Sequence, residues 1–238
     1  MLTIQNLTKH YKGSNKGVTN LTLEIEAGDI YGFIGHNGAG KTTTIKSIVG
    51  IQNFDSGEIE INGLSIKTAP IECKKILAYI PDNPDIFEYM TGMQYLNFIS
   101  NVFNIAKDVR MSRITKYADM FELTQDLNKP VGAYSHGMKQ KLAIISAWIH
   151  EPKFIILDEP FVGLDPKASH TLKTMMREFC NNGGAIFFST HVLEVAEKIC
   201  DKVAIIKNGK LVKCGDMASI KGDESLEEVF LELEADNA

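Results

Sequence analysis

No stretch of this sequence approaches the roughly 18 to 20 consecutive apolar residues that a membrane-spanning helix needs, and the opening MLTIQNLTKHYKG has no apolar core of the kind a secretory leader carries. The chain is therefore expected to be cytosolic unless a partner anchors it. Paired cysteines are missing too: Cys73, Cys180, Cys200 and Cys214 are scattered without CxxC or Cys/His spacing, which argues for reduced thiols over a metal ribbon or a disulfide scaffold. Positive charge is also short. Lys and Arg total 25 against 30 Asp and Glu, for a net charge of -5, so a broad polyanion-binding face is not expected and nucleic acid is set aside as a partner. Internal repeats, heptad arrays and low-complexity linkers are absent. What is present is 44% hydrophobic content in 238 residues, enough to bury a substantial core.

The pattern along the chain predicts an α/β fold. LTLEIE (Leu21 to Glu26) alternates strictly, and GEIEINGLSI places Asn62-Gly63 between alternating apolar positions, which together predict an N-terminal antiparallel β layer. DIYGFIG (Asp29 to Gly35) reads as a mostly apolar strand, and KTTTIKSIVG as a helix closed by Gly50. From about Asp85 to Leu127 the apolar spacing turns helical, with Tyr95, Leu96, Ile99, Val102 and Phe103 on one face, which predicts a helical insertion. The chain then alternates: strand FIILDE, a helix opened by Asp165 and Pro166, strand AIFFSTH, helix VLEVAEKIC, and a hairpin with Asn208-Gly209 at its tip. The acidic segment from Glu224 to about Ala235 predicts a last helix with Leu226, Phe230 and Leu233 on one face.

Between the strand and helix of the first half lies GHNGAGKTT, comprising Gly35, His36, Asn37, Gly38, Ala39, Gly40, Lys41, Thr42 and Thr43. It satisfies GxxxxGK[ST] in the required strand-loop-helix setting. Glycines let backbone N–H groups close around phosphate oxygens, Lys41 places a charge on the β- and γ-phosphates, and the Thr42 hydroxyl can ligate Mg²⁺. Such a loop needs a second, carboxylate-bearing strand, and FIILDE supplies it: Asp158 emerges from a buried strand to reach Mg²⁺ directly or through water. Two adjacent carboxylates beside a polyanionic nucleotide require a metal, and they leave Glu159 for another task, general base toward the attacking water. His191 falls at the end of another predicted strand, hence on the same edge, where it can hydrogen-bond the γ-phosphate or the water.

A second anion-binding element follows from YSHGMKQKLAIISAWIH: Ser135, His136 and Gly137 stand at a helix start, where backbone N–H groups are offered to an anion. GHNGAGKTT, YSHGMKQKL, FIILDEP, GLD (Gly163 to Asp165) and STH, in that order and spacing from Leu2 to about Leu233, resemble the ATP-binding subunits of ABC transporters. The resemblance implies a single ATPase domain over residues 1–238, a P-loop NTPase core with a mostly parallel sheet, and a helical subdomain at about residues 85–150. It implies that Ser135 and Gly137 contact the γ-phosphate of ATP bound to a second subunit, so that two chains, identical or homologous, face head to tail around two nucleotides. Tyr11 matches the aromatic residue that stacks on adenine. Asp82 stands where most members have glutamine, the residue that touches Mg²⁺ or the attacking water and links to the membrane subunit. Asp165 matches the loop that communicates across the dimer, and it is also an N-cap followed by Pro at N1. His136 replaces the usual glycine, and its side chain is expected to face solvent.

Transport by such a subunit needs membrane permeases, received in the family by a groove that here would involve Phe87, Tyr89, Met90 and Met93. The protein is thus expected peripherally on the cytoplasmic face of the membrane. YS-x-GM followed by a basic pair, together with the ESLEEVFLELEADNA tail, is similar to exporters of the ABC-2 type. The competing reading is a free-standing ATPase of the same class with a regulatory or assembly role. A GTPase is disfavoured because the one NKxD-like stretch, Asn128 to Val131, lacks the Asp that reads guanine.

Overall fold

The computed structural model describes residues 1–13 and 16–235, so the last three residues of the ESLEEVFLELEADNA tail lie outside the described residues. Its first layer is an antiparallel sheet of β1 (Leu2–His10), β2 (Gly17–Ile25), β4 (Ser56–Ile61) and β5 (Leu64–Ser65), in the order β2-β1-β4-β5. The alternation in β2 buries Leu21, Leu23 and Ile25 and leaves the residues between them exposed. Asn62 and Gly63 turn β4 into β5 with φ of 52° and 76°, the backbone that an Asn-Gly turn supplies.

Between β2 and β4 the chain makes β3 (Ile30–Ile34) and α1 (Lys41–Ile48); after β5 come α2 (Pro70–Ile76) and β6 (Leu77–Ile80). The helical region follows as α3 (Gly92–Val102), α4 (Lys107–Met120) and α5 (His136–Ile149). The core resumes with β7 (Phe154–Asp158), α6 (Pro166–Asn181), β8 (Ala185–Thr190), α7 (Leu193–Ile199), β9 (Lys202–Lys207), β10 (Lys210–Asp216), α8 (Met217–Lys221) and α9 (Leu226–Ala235). Six of these strands form one sheet ordered β10-β9-β3-β8-β7-β6, parallel throughout except for β10. β3, β7 and β8 are buried along their whole length, as a sheet covered on both faces demands.

Several elements differ from the sequence pattern, the short α8 among them. The helix expected from about Asp85 begins at Gly92, because Thr91 caps it: its hydroxyl accepts from Gln94 N, and Gln94 Oε1 accepts from Thr91 N at 2.8 Å. Pro81 and Pro84 keep the preceding stretch out of a helix, and it runs through bends and a turn in which Met90 N donates to Phe87 O at 3.1 Å. α2 and β6 were not anticipated, since a seven-residue helix running into a four-residue strand offers too little periodicity to read. β6 nonetheless closes the parallel edge and delivers Asp82 to the site.

Candidate functional site

The glycine loop joins β3 to α1 and is packed from behind. A Cβ on Gly35 would lie 2.4 Å from the Ile206 carbonyl oxygen of β9, so only glycine fits there. Gly40, at φ 114°, precedes Lys41 in a conformation that L side chains rarely adopt. Gly209 N donates to Ala39 O at 2.8 Å and Thr19 N donates to Gly209 O at 2.8 Å, which ties the loop to the β9–β10 turn and to β2.

Lys41, only 6% exposed, donates from Nζ to Gly35 O at 2.5 Å and His36 O at 3.3 Å, and it stands 4.0 Å from Glu159 Oε1. Burial pulls its ammonium below the ordinary lysine value, while Glu159 and then Asp158 pull the other way. Thr42 Oγ1 donates to Asp158 Oδ2 at 3.2 Å, and the Ser189 hydroxyl donates to Asp158 Oδ1. Asp158 is 2% exposed, and burial pushes its carboxyl up; the Ser189 hydrogen bond opposes that push, Asp82 adds to it, Thr42 opposes it and Glu159 adds.

Glu159 has φ of 50°, left-handed for a residue with a Cβ. Its N–H donates to Ser189 O at 3.1 Å and Ser189 Oγ at 3.3 Å, so β8 holds the turn in place. Unusual backbone of this kind persists where the surroundings over-determine it, commonly at functional sites. Oε1 of Glu159 lies 2.8 Å from His191 Nδ1. A carboxylate only accepts, so Nδ1 carries the proton and the neutral ring leaves Nε2 as an acceptor suited to a water; a phosphate oxygen there would require the doubly protonated ring.

Lys41, Thr42, Asp158 and Glu159 line a cleft of about 190 Å³ with Tyr11, Lys16, Gly17, Thr43 and Asp82, and His191 lines the cavity next to it. Tyr11 is 39% exposed, and its hydroxyl donates to Gln52 Oε1 at 2.7 Å and lies 3.3 Å from Thr43 Oγ1, which fixes the ring at the mouth. Asp82 is exposed at the rim, with its Oδ1 accepting from Asn83 N at 2.9 Å. A larger cleft of about 640 Å³ lies at the opposite ends of β7 and β8, lined by Tyr117, Trp148, Lys153 and Phe179, and has none of this convergent chemistry.

The second anion element is not brought into that cleft. Ser135 caps α5, its Oγ accepting from Met138 N at 3.2 Å. Beside it runs the segment that leaves Glu159. Gln140, fully buried, donates from Nε2 to Pro160 O at 3.2 Å, and its Oε1 has no hydrogen-bond partner. A Cβ on Gly137 would lie 2.5 Å from Gly163 O, and one on Gly163 would lie 2.3 Å from the His136 ring. His136 is exposed as expected, yet one edge of its ring rests on Gly163. Asp165 accepts from Ala168 N at 2.8 Å as the N-cap of α6 and pairs with Lys141 Nζ at 2.7 Å, which holds its carboxyl below the usual range. Ser135, Gly137 and Asp165 therefore form a separate surface, joined through Pro160 to Glu159.

Sequence reasoning missed Ser189, which serves both carboxylates; the available signal was a hydroxyl at the end of the apolar run AIFF, close to Asp158 only once β7 and β8 pair. It also missed Gln52, behind Tyr11, and Phe230, whose ring meets His36. No local pattern announces those contacts.

A glycine loop between a buried strand and a helix, with its lysine and threonine facing the carboxylates of a strand two places along the sheet, defines a P-loop nucleoside triphosphatase. Comparison with known proteins narrows the class. Residues 18–162 match the family described as "ABC transporter". The ABC-type transporter ATP-binding protein EcsA of Bacillus subtilis (strain 168) is 33% identical over 243 residues, spanning 100% of this chain and 98% of that protein. A solved structure described as an ATP binding subunit of an ABC transporter superposes with a TM-score of 0.93 at 33% identity, covering 98% of this chain and 99% of its own. The fold is shared with a dimeric ATP-binding cassette in a post-hydrolysis state bound to ADP and Pi, at a TM-score of 0.82 and 21% identity, over 91% of this chain and 99% of that one. This chain belongs to the ABC transporter family, as an ATP-binding subunit. ATP-binding domains of that family are ATPases that dimerise and work with membrane permeases.

Proposed function

We propose that the chain binds ATP with Mg²⁺ on the glycine loop, hydrolyses it with Glu159 as general base, and thereby drives a separate membrane permease. The observation that carries this reading is one cleft in which Thr42 meets Asp158 and Lys41 stands 4.0 Å from Glu159, with His191 bonded to Glu159 from the neighbouring cavity.

The donor set suits the metal. The Thr42 hydroxyl and the Asp158 carboxylate are hard oxygens side by side, and Asp158 is a buried carboxylate whose charge is costly without a cation. Among the described residues no group of three or more His, Cys, Asp or Glu side chains could hold a metal. Phosphate oxygens and waters would complete the shell, the usual arrangement for Mg²⁺. Bound there it supplies charge neutralisation along the phosphates. Asp82, which lines the same cleft, would offer a further carboxylate oxygen.

The chain's own groups then divide the work. The Tyr11 ring, held by Gln52 and Thr43, stacks on adenine. Residues 35–43 offer N–H groups to the phosphates while Lys41 turns to the β- and γ-oxygens. Glu159 takes the proton of the attacking water, with its aim set by the left-handed backbone and by His191. Ser135 and Gly137 face a nucleotide held by a second chain, so two chains related by a two-fold axis complete both sites; the dimeric relative bound to ADP and Pi supports this.

The permease surface is the stretch before α3. Tyr89 is 79% exposed and Phe87 43%, and the Phe87 ring lies 5.7 Å from Tyr89 and 5.7 Å from Phe98, itself 40% exposed. Three clustered rings at the surface mark an interaction site, with Phe98 an addition to the residues expected from sequence. No helix among the described residues is long and apolar enough to cross a membrane, so the chain would sit on the cytoplasmic face through the permease. The YS-x-GM element and the acidic tail favour an exporter of the ABC-2 type. A free-standing regulatory ATPase is not favoured, because the relatives are described as transporter subunits.

The test is the molar mass of Glu159→Gln in solution with Mg²⁺, with and without ATP, beside its steady-state hydrolysis. Turnover should fall by about 10²- to 10⁴-fold, the usual contribution of a general base, and mass should double on ATP. Substantial residual hydrolysis removes Glu159 from the role of base, and a persistent monomer with ATP bound removes the homodimer.

A further inference from the structure

The last helix reaches the glycine loop from behind. α9 starts on a capping box: Ser225 Oγ accepts from Glu228 N at 3.2 Å, and Glu228 Oε2 accepts from Ser225 N at 2.8 Å. Glu197 of α7 accepts from Leu226 N at 3.0 Å, and Lys207, at the end of β9, donates from Nζ to Leu233 O at 3.1 Å. Both ends of the helix are thus tied to elements that flank β3. Its apolar face is buried, with Leu226 at 0%, Val229 at 5% and Phe230 at 8% exposure.

Phe230 does more than fill this interface. Its ring stands edge-on to His36, with centroids 4.9 Å apart at 65°. His36 is the second residue of the loop, and its carbonyl accepts from Lys41 Nζ at 3.3 Å. Between the loop and α9 lies a cavity of about 260 Å³ lined by Gly35, His36, Asn37, His191, Leu193 and Phe230. On this side the loop faces the cavity and meets the Phe230 ring, whereas Gly35 and Gly40 are packed against β9 and β2.

We propose that Phe230 is a positioning residue for the phosphate loop, holding through the His36 ring the backbone against which Lys41 is set. The inference rests on the reading of this loop as the ATP site. Docking of α9 then sets nucleotide affinity, although none of the described side chains of that helix lines the nucleotide cleft. An edge-to-face ring pair accounts for about two- to tenfold in an equilibrium constant, which fixes the size of the expected effect.

The experiment measures the ATP dissociation constant with Mg²⁺ for the full chain carrying Glu159→Gln. Phe230→Leu, His36→Ala, their double variant and Lys41→Ala are compared in that background. Phe230→Leu keeps the apolar volume and removes the ring, so it guards against a simple loss of fold. It should weaken ATP about two- to tenfold; His36→Ala should do the same, and the double variant should be no worse than the weaker single one. In the chain with Glu159 intact, Phe230→Leu should raise KM and leave kcat within about twofold, while Phe230→Tyr, which keeps the ring, restores KM. An unchanged dissociation constant for Phe230→Leu overturns the proposal, as does strict additivity of the two variants or a loss of melting temperature alone. If Lys41→Ala also binds ATP normally, the ATP-site reading itself fails; if only Phe230→Leu binds normally, the failure is confined to the positioning role.

Discussion

Replacing Asp158 with Asn should stabilise the nucleotide-free protein while disabling it. The side chain is 2% exposed, its burial dominates the upward push on its carboxyl, and Asp82 and Glu159 add repulsion. Asn has the same shape, and the Thr42 and Ser189 hydroxyls can each turn to donate or accept, so the hydrogen bonds survive the exchange. Lys41 loses an opposite charge, but Glu159 is the larger of its two carboxylate contributions and remains. Relief of such a functional compromise commonly yields about 0.5–2 kcal/mol, or roughly 1–8 °C in melting temperature for a chain of this size. The sign of the pH dependence follows from the raised carboxyl. As pH falls toward about 4, the ordinary carboxylate value, folded Asp158 takes up its proton before the unfolded chain does, and the wild type recovers the cost that the variant never carried. The variant's advantage should therefore be fully present at pH 8 and shrink on acidification. With ATP and Mg²⁺ at about 100 times the dissociation constant, the wild type should gain about 2.7 kcal/mol and the variant much less. Thermal melts at pH 8 and pH 5.5, with and without ATP and Mg²⁺, measure all of this. A variant that melts below wild type without nucleotide at pH 8, or gains as pH falls, refutes the reasoning.

Two further outcomes follow from packing. Gly137→Ala puts a Cβ 2.5 Å from Gly163 O, which must separate the start of α5 from the segment after Glu159; ATP affinity of the single chain should hold within about twofold while hydrolysis falls at least about tenfold, and unchanged hydrolysis would mean that this contact does not help to set Glu159. Serine at both Phe87 and Tyr89 should leave stability within about 0.5 kcal/mol, as surface changes usually do, and leave the isolated chain's ATPase intact. Pull-down with the permease should fail, and undiminished complex formation would mean the partner surface lies elsewhere.

The parts of the fold legible in the sequence were those in which one physical signal suffices. GHNGAGKTT is readable because glycine, lysine and threonine each answer a local requirement, and FIILD because a strand covered on both faces must be apolar throughout. Ser135 and Asp165 were readable as helix caps, and both act as such in the structure. β6 was not readable: four residues, followed immediately by Pro81, carry no period. Ser189 shows the deeper limit, since its service to Asp158 and Glu159 depends on β7 and β8 lying side by side, a pairing with no local trace. The same holds for Phe230, which the amphipathic pattern correctly placed on the buried face of a helix without indicating that His36, far away in sequence, would be there to meet it.

The triple tie of the glycine loop, through Gly209 to Ala39, through Thr19 to Gly209 and through the fit of Gly40 against Gly17 and Val18, has a thermodynamic consequence. Fixing the backbone of one residue costs about 1–2 kcal/mol in conformational entropy, and a loop left floppy would charge that cost to every binding event. Here folding has already ordered the loop, so on the proposed reading a phosphate would meet N–H groups in place and its interaction energy would appear as affinity. Much of the ordering of the proposed phosphate site is therefore supplied by a hairpin tip, Asn208-Gly209, that lies outside the lining of the cleft and comes far later in the sequence than the loop it steadies.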